Sequence, residues 1–149
     1  MEDTDKIKVI ATNRKANFEY EILERFEAGV VLTGTEVKSV RDSKINIKES
    51  YAVIKNGEVW LLNCHINEYA FGNINNHEPL RSRKLLLNKR EIRKIKKQLN
   101  EKGLTLVPLK VYFKGSLIKI ELGVARGKKI YDKRESIKKR ETERRLKRI

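Results

Sequence analysis

The chain has 149 residues, with 35 Lys and Arg against 20 Asp and Glu, a formal net charge of +15 and a pI near 10.0. That length suits one compact domain plus a tail, and that charge favours a polyanionic partner, nucleic acid ahead of an anionic membrane surface. There is no run of about 18 apolar residues and no apolar leader at the start, and the single Cys64 has no partner for an internal disulfide. A cytoplasmic protein that does not enter membranes is expected.

In chain order, residues 7–12 alternate weakly and predict a first strand. Asn13, Arg14, Lys15 and Ala16 read as a basic connector. Phe18, Tyr20 and Ile22 then alternate with polar neighbours, as a half-buried strand does. Glu27, Ala28 and Gly29 interrupt that strand and suggest a bulge. Thr33 followed by Glu36 has capping-box spacing and predicts a short helix over roughly residues 34–41, with Val37 and Val40 inward and Lys38 and Arg41 outward. Ile45 and Ile47 mark the next edge segment. Asn56-Gly57 between the apolar runs 51–54 and 59–62 specifies a type I′ hairpin. Residues 70–84, rich in Asn and ending in Arg81, Arg83 and Lys84, read as a loop.

From Asn88 to Lys102 the pattern is an amphipathic helix. Ile92, Ile95 and Leu99 share a face, Asn88 is the N-cap and Gly103 the stop. The last hairpin pairs residues 104–113 with 117–124, and Pro108 demands an edge or a bulge on its first arm. These short antiparallel strands with interposed helices predict a mainly β fold. A closed oligonucleotide-binding (OB) type β-barrel solves the problem of free strand edges, with an open α+β sheet as the alternative.

Residues 126–149 hold twelve Lys and Arg against four Asp and Glu, about half the net charge of the chain. Ile130, Tyr131, Ile137, Leu146 and Ile149 are too few to make a buried stripe. The division expected is a domain over 1–125 and a tail over 126–149, disordered alone and helical on a polyanion.

Enzyme chemistry is thin. His65 and His77 with one Cys offer no metal-ligand spacing, no nucleophile-elbow surrounds a Ser, and Gly127-Lys128-Lys129 lacks the rest of a Walker A loop. His77 reads as a loop hydrogen-bonder, and Glu27 and Glu36 as cap or salt-bridge acids. No cofactor or metal is expected. The aromatics fall mostly on strand faces, which favours phosphate and shape recognition of folded RNA over single-strand stacking.

Several runs in order resemble one family, the SsrA (tmRNA)-binding proteins of bacteria, small protein B or SmpB. They are Asn13-Arg14-Lys15-Ala16, Glu27-Ala28-Gly29, residues 34–41 (GTEVKSVR), Asn76-His77-Glu78-Pro79, residues 83–87 (RKLLL), Val107-Pro108-Leu109, and the stretch from Gly127 to Glu135. The resemblance implies an OB-type barrel that binds the tRNA-like domain of tmRNA. It also implies a tail that enters the small-subunit decoding centre and message channel during trans-translation, the rescue of ribosomes stalled without a stop codon. Such a protein is not an enzyme, and it is expected as a monomer on tmRNA. The tmRNA face implied comprises Asn13, Arg14, Lys15, Glu27, Lys38, Arg41, Arg83, Lys84, Leu86, Lys119 and Lys128. The decoding-centre group implied is Gly127, Lys128, Lys129, Tyr131, Asp132, Lys133 and Arg134, with Tyr131 where some members carry His. The alternative function is a structural ribosomal protein with a basic tail that binds ribosomal RNA.

Overall fold

The computed structural model describes residues 6–72, 75–101 and 103–128. Nine strands and three helices occur among them, in the order β1 (Ile7–Thr12), α1 (Arg14–Glu19), β2 (Tyr20–Val30), α2 (Gly34–Arg41), β3 (Ile45–Asn46), β4 (Tyr51–Lys55), β5 (Glu58–Leu62), β6 (His65–Ile66), β7 (Arg83–Leu86), α3 (Lys89–Leu99), β8 (Leu104–Lys114) and β9 (Leu117–Gly127). The expectations for residues 129–149 lie outside the described residues.

Seven strands form one antiparallel sheet in the order β1-β8-β4-β5-β7-β2-β9, and β8 also pairs with β9. That last pairing joins β8, β4, β5, β7, β2 and β9 into a continuous circuit. The short ribbon β3–β6 stands apart from it, pairing Ile45 with Ile66. Inward residues alternate along β2, β5 and β7 with the period-2 pattern of a half-buried sheet. Ala28, Val59, Leu61, Leu85, Leu106, Val111, Ile120, Leu122 and Val124 make the main core, all buried. From α3, Ile95 is fully buried and Ile92 and Leu99 pack beside it, so the helix covers that core with one narrow apolar face.

Strand β8 is buried along both faces, because two cores meet on it. Leu106 and Val111 belong to the main core, whereas Val107 and Leu109 pack with Ala16 and Ala125 under α1. The register shift between Pro108 and Lys110 is the bulge that Pro108 demanded.

Local rules place the caps. Thr33 and Asn88 each close a complete capping box, with Glu36 and Glu91 reaching back to the cap nitrogen. Asn56 and Gly57 take φ of +53° and +74°, and Val53 faces Trp60 across the hairpin.

Three expectations are corrected. The connector at Asn13–Ala16 is the start of a helix, so Phe18 lies in α1 rather than in a strand. Gly29 does not break β2; it pairs with both Leu86 and Lys119, and the bulge falls between Ile22 and Glu24. The loop ascribed to residues 70–84 ends early, because Arg83 and Lys84 open β7 between β5 and β2. In addition β9 runs past Ala125, with Gly127 paired to Tyr20 and Lys128 N–H donating to the Glu19 carbonyl.

A Cβ added at Gly57 meets nothing within 4 Å, so the main cost of a substitution there is the left-handed backbone. Gly57→Val is expected to destabilise the fold by about 1–2 kcal/mol, lowering the thermal midpoint by about 2–4 °C for each kcal/mol. An unchanged midpoint would contradict the turn assignment.

Candidate nucleic-acid interface

The residues implied as an RNA face separate into three groups on the structure. The first is built by β2, β7 and β9. Gly29 pairs with Leu86 on one side and Lys119 on the other, and Glu27 lies two residues away on the same face. Because cross-strand partners share a face, Glu27, Leu86, Lys119 and Lys84 form one outward row. Leu86 is 50 % exposed, an apolar group set among charges. Lys84 forms an ion pair with Glu58.

Glu27 is held in place by groups that the sequence alone did not single out. The Tyr112 hydroxyl donates to Glu27 Oε2 at 2.5 Å, and Lys114 Nζ lies 3.3 Å from Oε1. The Tyr112 hydrogen bond keeps the Glu27 carboxyl below the usual carboxylate range, with Lys114 assisting against the effect of burial. Burial, and then the same hydrogen bond, pushes the Tyr112 phenol up. The signal available in the sequence was register: Tyr112 faces Lys119, which faces Gly29.

The second group surrounds α1. Arg14 is exposed at the first turn, and Lys15 Nζ donates to Glu49 at 2.7 Å. Lys128 Nζ reaches the Asn17 carbonyl at 3.3 Å, so the end of β9 joins this group. Arg14, Lys15 and Lys48 border a groove of about 350 Å³ between the β1–α1 corner and β3. Asn13, implied as part of the RNA face, does not lie on the surface. It is buried, its Oδ1 accepts from the Ala16 N–H, and its Nδ2 donates to the carbonyls of Pro108 and Ile47. Its hydrogen-bonding capacity is spent on fixing the groove wall.

The third group is Lys38 and Arg41, both exposed on α2. Beneath α2 lies a buried ionic cluster that contains Arg83, another residue implied for the RNA face. Its side chain is fully buried beside a fully buried Glu36, and Nε donates to Glu36 Oε2 at 2.6 Å. Its other nitrogens donate to the carbonyls of Cys64 and Pro79. Arg81 donates to Glu36 Oε1 at 2.5 Å, and the same oxygen accepts the Thr33 N–H at 2.9 Å. Arg83 therefore supports the surface from within. Burial raises the Glu36 pKa, but Arg81, the Thr33 N–H and Arg83 together outweigh it and hold the carboxyl below its ordinary range.

His77 acts as a loop clamp. Its Nε2 donates to the Ile66 carbonyl at 2.8 Å, and Nδ1 lies 2.9 Å from the Thr35 hydroxyl. Ser39 is spent on the Asn67 carbonyl, and burial pushes the Cys64 thiol up to about 11, away from nucleophilic use. Of the group implied for the decoding centre, Gly127 ends β9 and Lys128 follows it. Lys129, Tyr131, Asp132, Lys133 and Arg134 lie outside the described residues. Among the described residues, no helix is long and apolar enough to cross a membrane.

Fold and surface together define a small basic β domain with the electrostatic footprint of a nucleic-acid-binding protein. Comparison with known proteins makes the assignment specific. The family model described as SmpB protein matches residues 10–149. The SsrA-binding protein of Ligilactobacillus salivarius is 56% identical over 143 residues, covering 96% of this chain and 92% of that one. The SsrA-binding protein of Carboxydothermus hydrogenoformans is 59% identical over 139 residues, 93% of each chain. A chain in the solved structure "tmRNA-SmpB: a journey to the center of the bacterial ribosome" superposes with a TM-score of 0.68 at 47% identity, covering 85% of this chain and 93% of that one. The chain belongs to the SmpB family.

Removing one member of a buried ion pair leaves the other charged and unsolvated. Glu36→Gln is expected to cost about 3–5 kcal/mol at pH 7. Because the folded pKa of Glu36 is depressed, its contribution is complete above the ordinary value of 4.5 and is lost as pH falls through the lower folded value. Denaturant titrations should show the gap between the two proteins narrowing below about pH 4.5. A gap that is small at pH 7, or constant with pH, would contradict the role given to Glu36.

Proposed function

We propose that this protein binds the tRNA-like domain of tmRNA and brings it to ribosomes stalled without a stop codon, as a binding factor rather than an enzyme. The observation that carries this reading is the match to SsrA-binding proteins along nearly the full length of both chains. The charge of the chain and the surface row on β2, β7 and β9 agree with it. The strand circuit is read as the OB-type barrel.

On that barrel Lys119 and Lys84 supply cations for phosphate. The Glu27 carboxylate is acceptor-only, so it pairs with hydroxyls or amines such as a ribose 2′-OH and not with phosphate. Leu86 gives an apolar contact between them. Arg14, Lys15 and Lys128 form a second set of phosphate contacts, and Lys38 and Arg41 a third. Asn13 and Arg83 act indirectly, by fixing the walls on which these groups stand.

Residues 129–149 carry ten Lys and Arg against four Asp and Glu, and are assigned to the decoding centre and message channel. There Lys129, Lys133 and Arg134 meet ribosomal RNA phosphates, and Tyr131 stacks on a base. The group replaces the missing codon–anticodon helix, while the chemistry belongs to the RNA and the ribosome.

Three expected outcomes test the proposal. Affinity for the tRNA-like RNA should fall with salt, with a log–log slope of roughly −0.7 to −0.9 per phosphate neutralised. A slope near zero would reduce the basic groups to a solvated surface. Separately, a chain ending at Lys128 keeps all of β9 and should still fold and bind this RNA with a moderate loss, yet fail to support tag addition on stalled ribosomes. In the full chain, Tyr131→Ala should cost about tenfold in tagging, as one lost stacking contact does, and Lys147→Ala much less. Full tagging by the shortened chain would overturn the role of the tail.

A further inference from the structure

Phe71 is 86 % exposed, the most exposed large apolar side chain among the described residues. Nothing in the contacts described so far uses it. Its ring meets the Tyr69 ring edge-on, with centroids 5.6 Å apart and planes at 67°. The Lys38 ammonium lies 5.3 Å from the Tyr69 centroid, a cation–π contact that ties the aromatic pair to α2.

The segment that presents this pair is held at several points. Asn67 O accepts from the buried Ser39 hydroxyl, and Asn67 N–H donates to the Lys44 carbonyl. The Asn76 side chain brackets Tyr69, accepting from its N–H at 3.1 Å and donating to its carbonyl at 2.8 Å. Gly72 N–H donates to the same carbonyl, and a Cβ at Gly72 would lie 2.5 Å from Asn76 Nδ2. A glycine at that position is what lets Asn76 close the turn. Behind it His77 is buried against Ile66 and Thr35.

Lys38 is the cation at this pair, and Arg41 and Lys44 are exposed further along α2 and its following turn, with Asp42, Glu68 and Glu78 as the exposed acids of these segments. An apolar peptide side chain would use the ring and leave these cations idle. A nucleotide uses both, its base on a ring face and its phosphate beside an ammonium. We propose that Phe71, braced by Tyr69 and flanked by Lys38, is a stacking site for an unpaired RNA base. This rests on the RNA-binding reading above and extends it from phosphate contacts to a single-stranded element of the ligand.

The test uses the full chain and two probes, a short single-stranded RNA carrying one 2-aminopurine and a fully paired RNA duplex. Wild type should quench the 2-aminopurine emission on binding. Phe71→Ala should abolish the quench and weaken single-strand binding about tenfold, while duplex affinity and thermal midpoint stay as in wild type. Phe71→Tyr should restore both signals. Lys38→Ala should lower the salt slope for the single strand by about 0.7, the loss of one phosphate contact. Unaltered quenching by Phe71→Ala would overturn the stacking site, as would a lowered midpoint, which would make the ring a packing element. Duplex binding by wild type without any quench would overturn the stacking site alone. No binding of either probe would overturn the RNA-binding reading as well.

Discussion

The carboxylate of Glu36 is the joint on which the rest of the architecture turns. It sits fully buried at the N-terminus of α2, where it completes the capping box and receives two arginines. Such a group survives in a low-dielectric interior only when every lone pair is used and its charge is opposed. Arg83 meets that need and is itself satisfied by the carbonyls of Cys64 and Pro79. One cluster thus fixes the start of α2, the end of the β5–β6 corner, the loop before β7 and β7 itself. None of these could shift without leaving a buried charge or a buried carbonyl alone.

That joint has a direct effect on the surface. With Arg83 locked inward beside Leu61, the period of two sends Lys84 outward, Leu85 inward and Leu86 outward. Leu86 then meets Gly29, Gly29 meets Lys119, and Glu27 follows on the same side. A slip of one residue in β7 would bury Lys84 and expose Arg83, and the outward row would vanish. Four residues in β7 therefore link the ionic core to the outward row.

What could be read from the chain follows the range of the forces involved. The Asn56-Gly57 turn, both capping boxes, the apolar stripe of α3 and the bulge at Pro108 are set within a few residues, and each was legible. α1 was missed because Asn13, which caps it, spends its amide on Pro108 and Ile47, far away in sequence. β7 was missed because Arg83 at its start looks like surface until its partner Glu36 is known. For the same reason the burial of Asn13 and Arg83, both implied as part of the tmRNA face, is not legible in the sequence. Family resemblance marks a residue as required without saying whether it touches the ligand or holds the wall behind it. Conversely Tyr112 and Lys114, which hold Glu27, stand out only once the register of β8 against β9 is known.

The central claim is that this buried scaffold presents a surface for one particular RNA. The most direct measurement is to recover the protein from growing bacterial cells that make it, wash the complexes at high salt, and sequence the RNA retained. The account predicts that tmRNA is by far the most enriched species and that ribosomal RNA is washed away. Retention of ribosomal RNA with no enrichment of tmRNA would contradict it and mark the chain as a structural part of the ribosome.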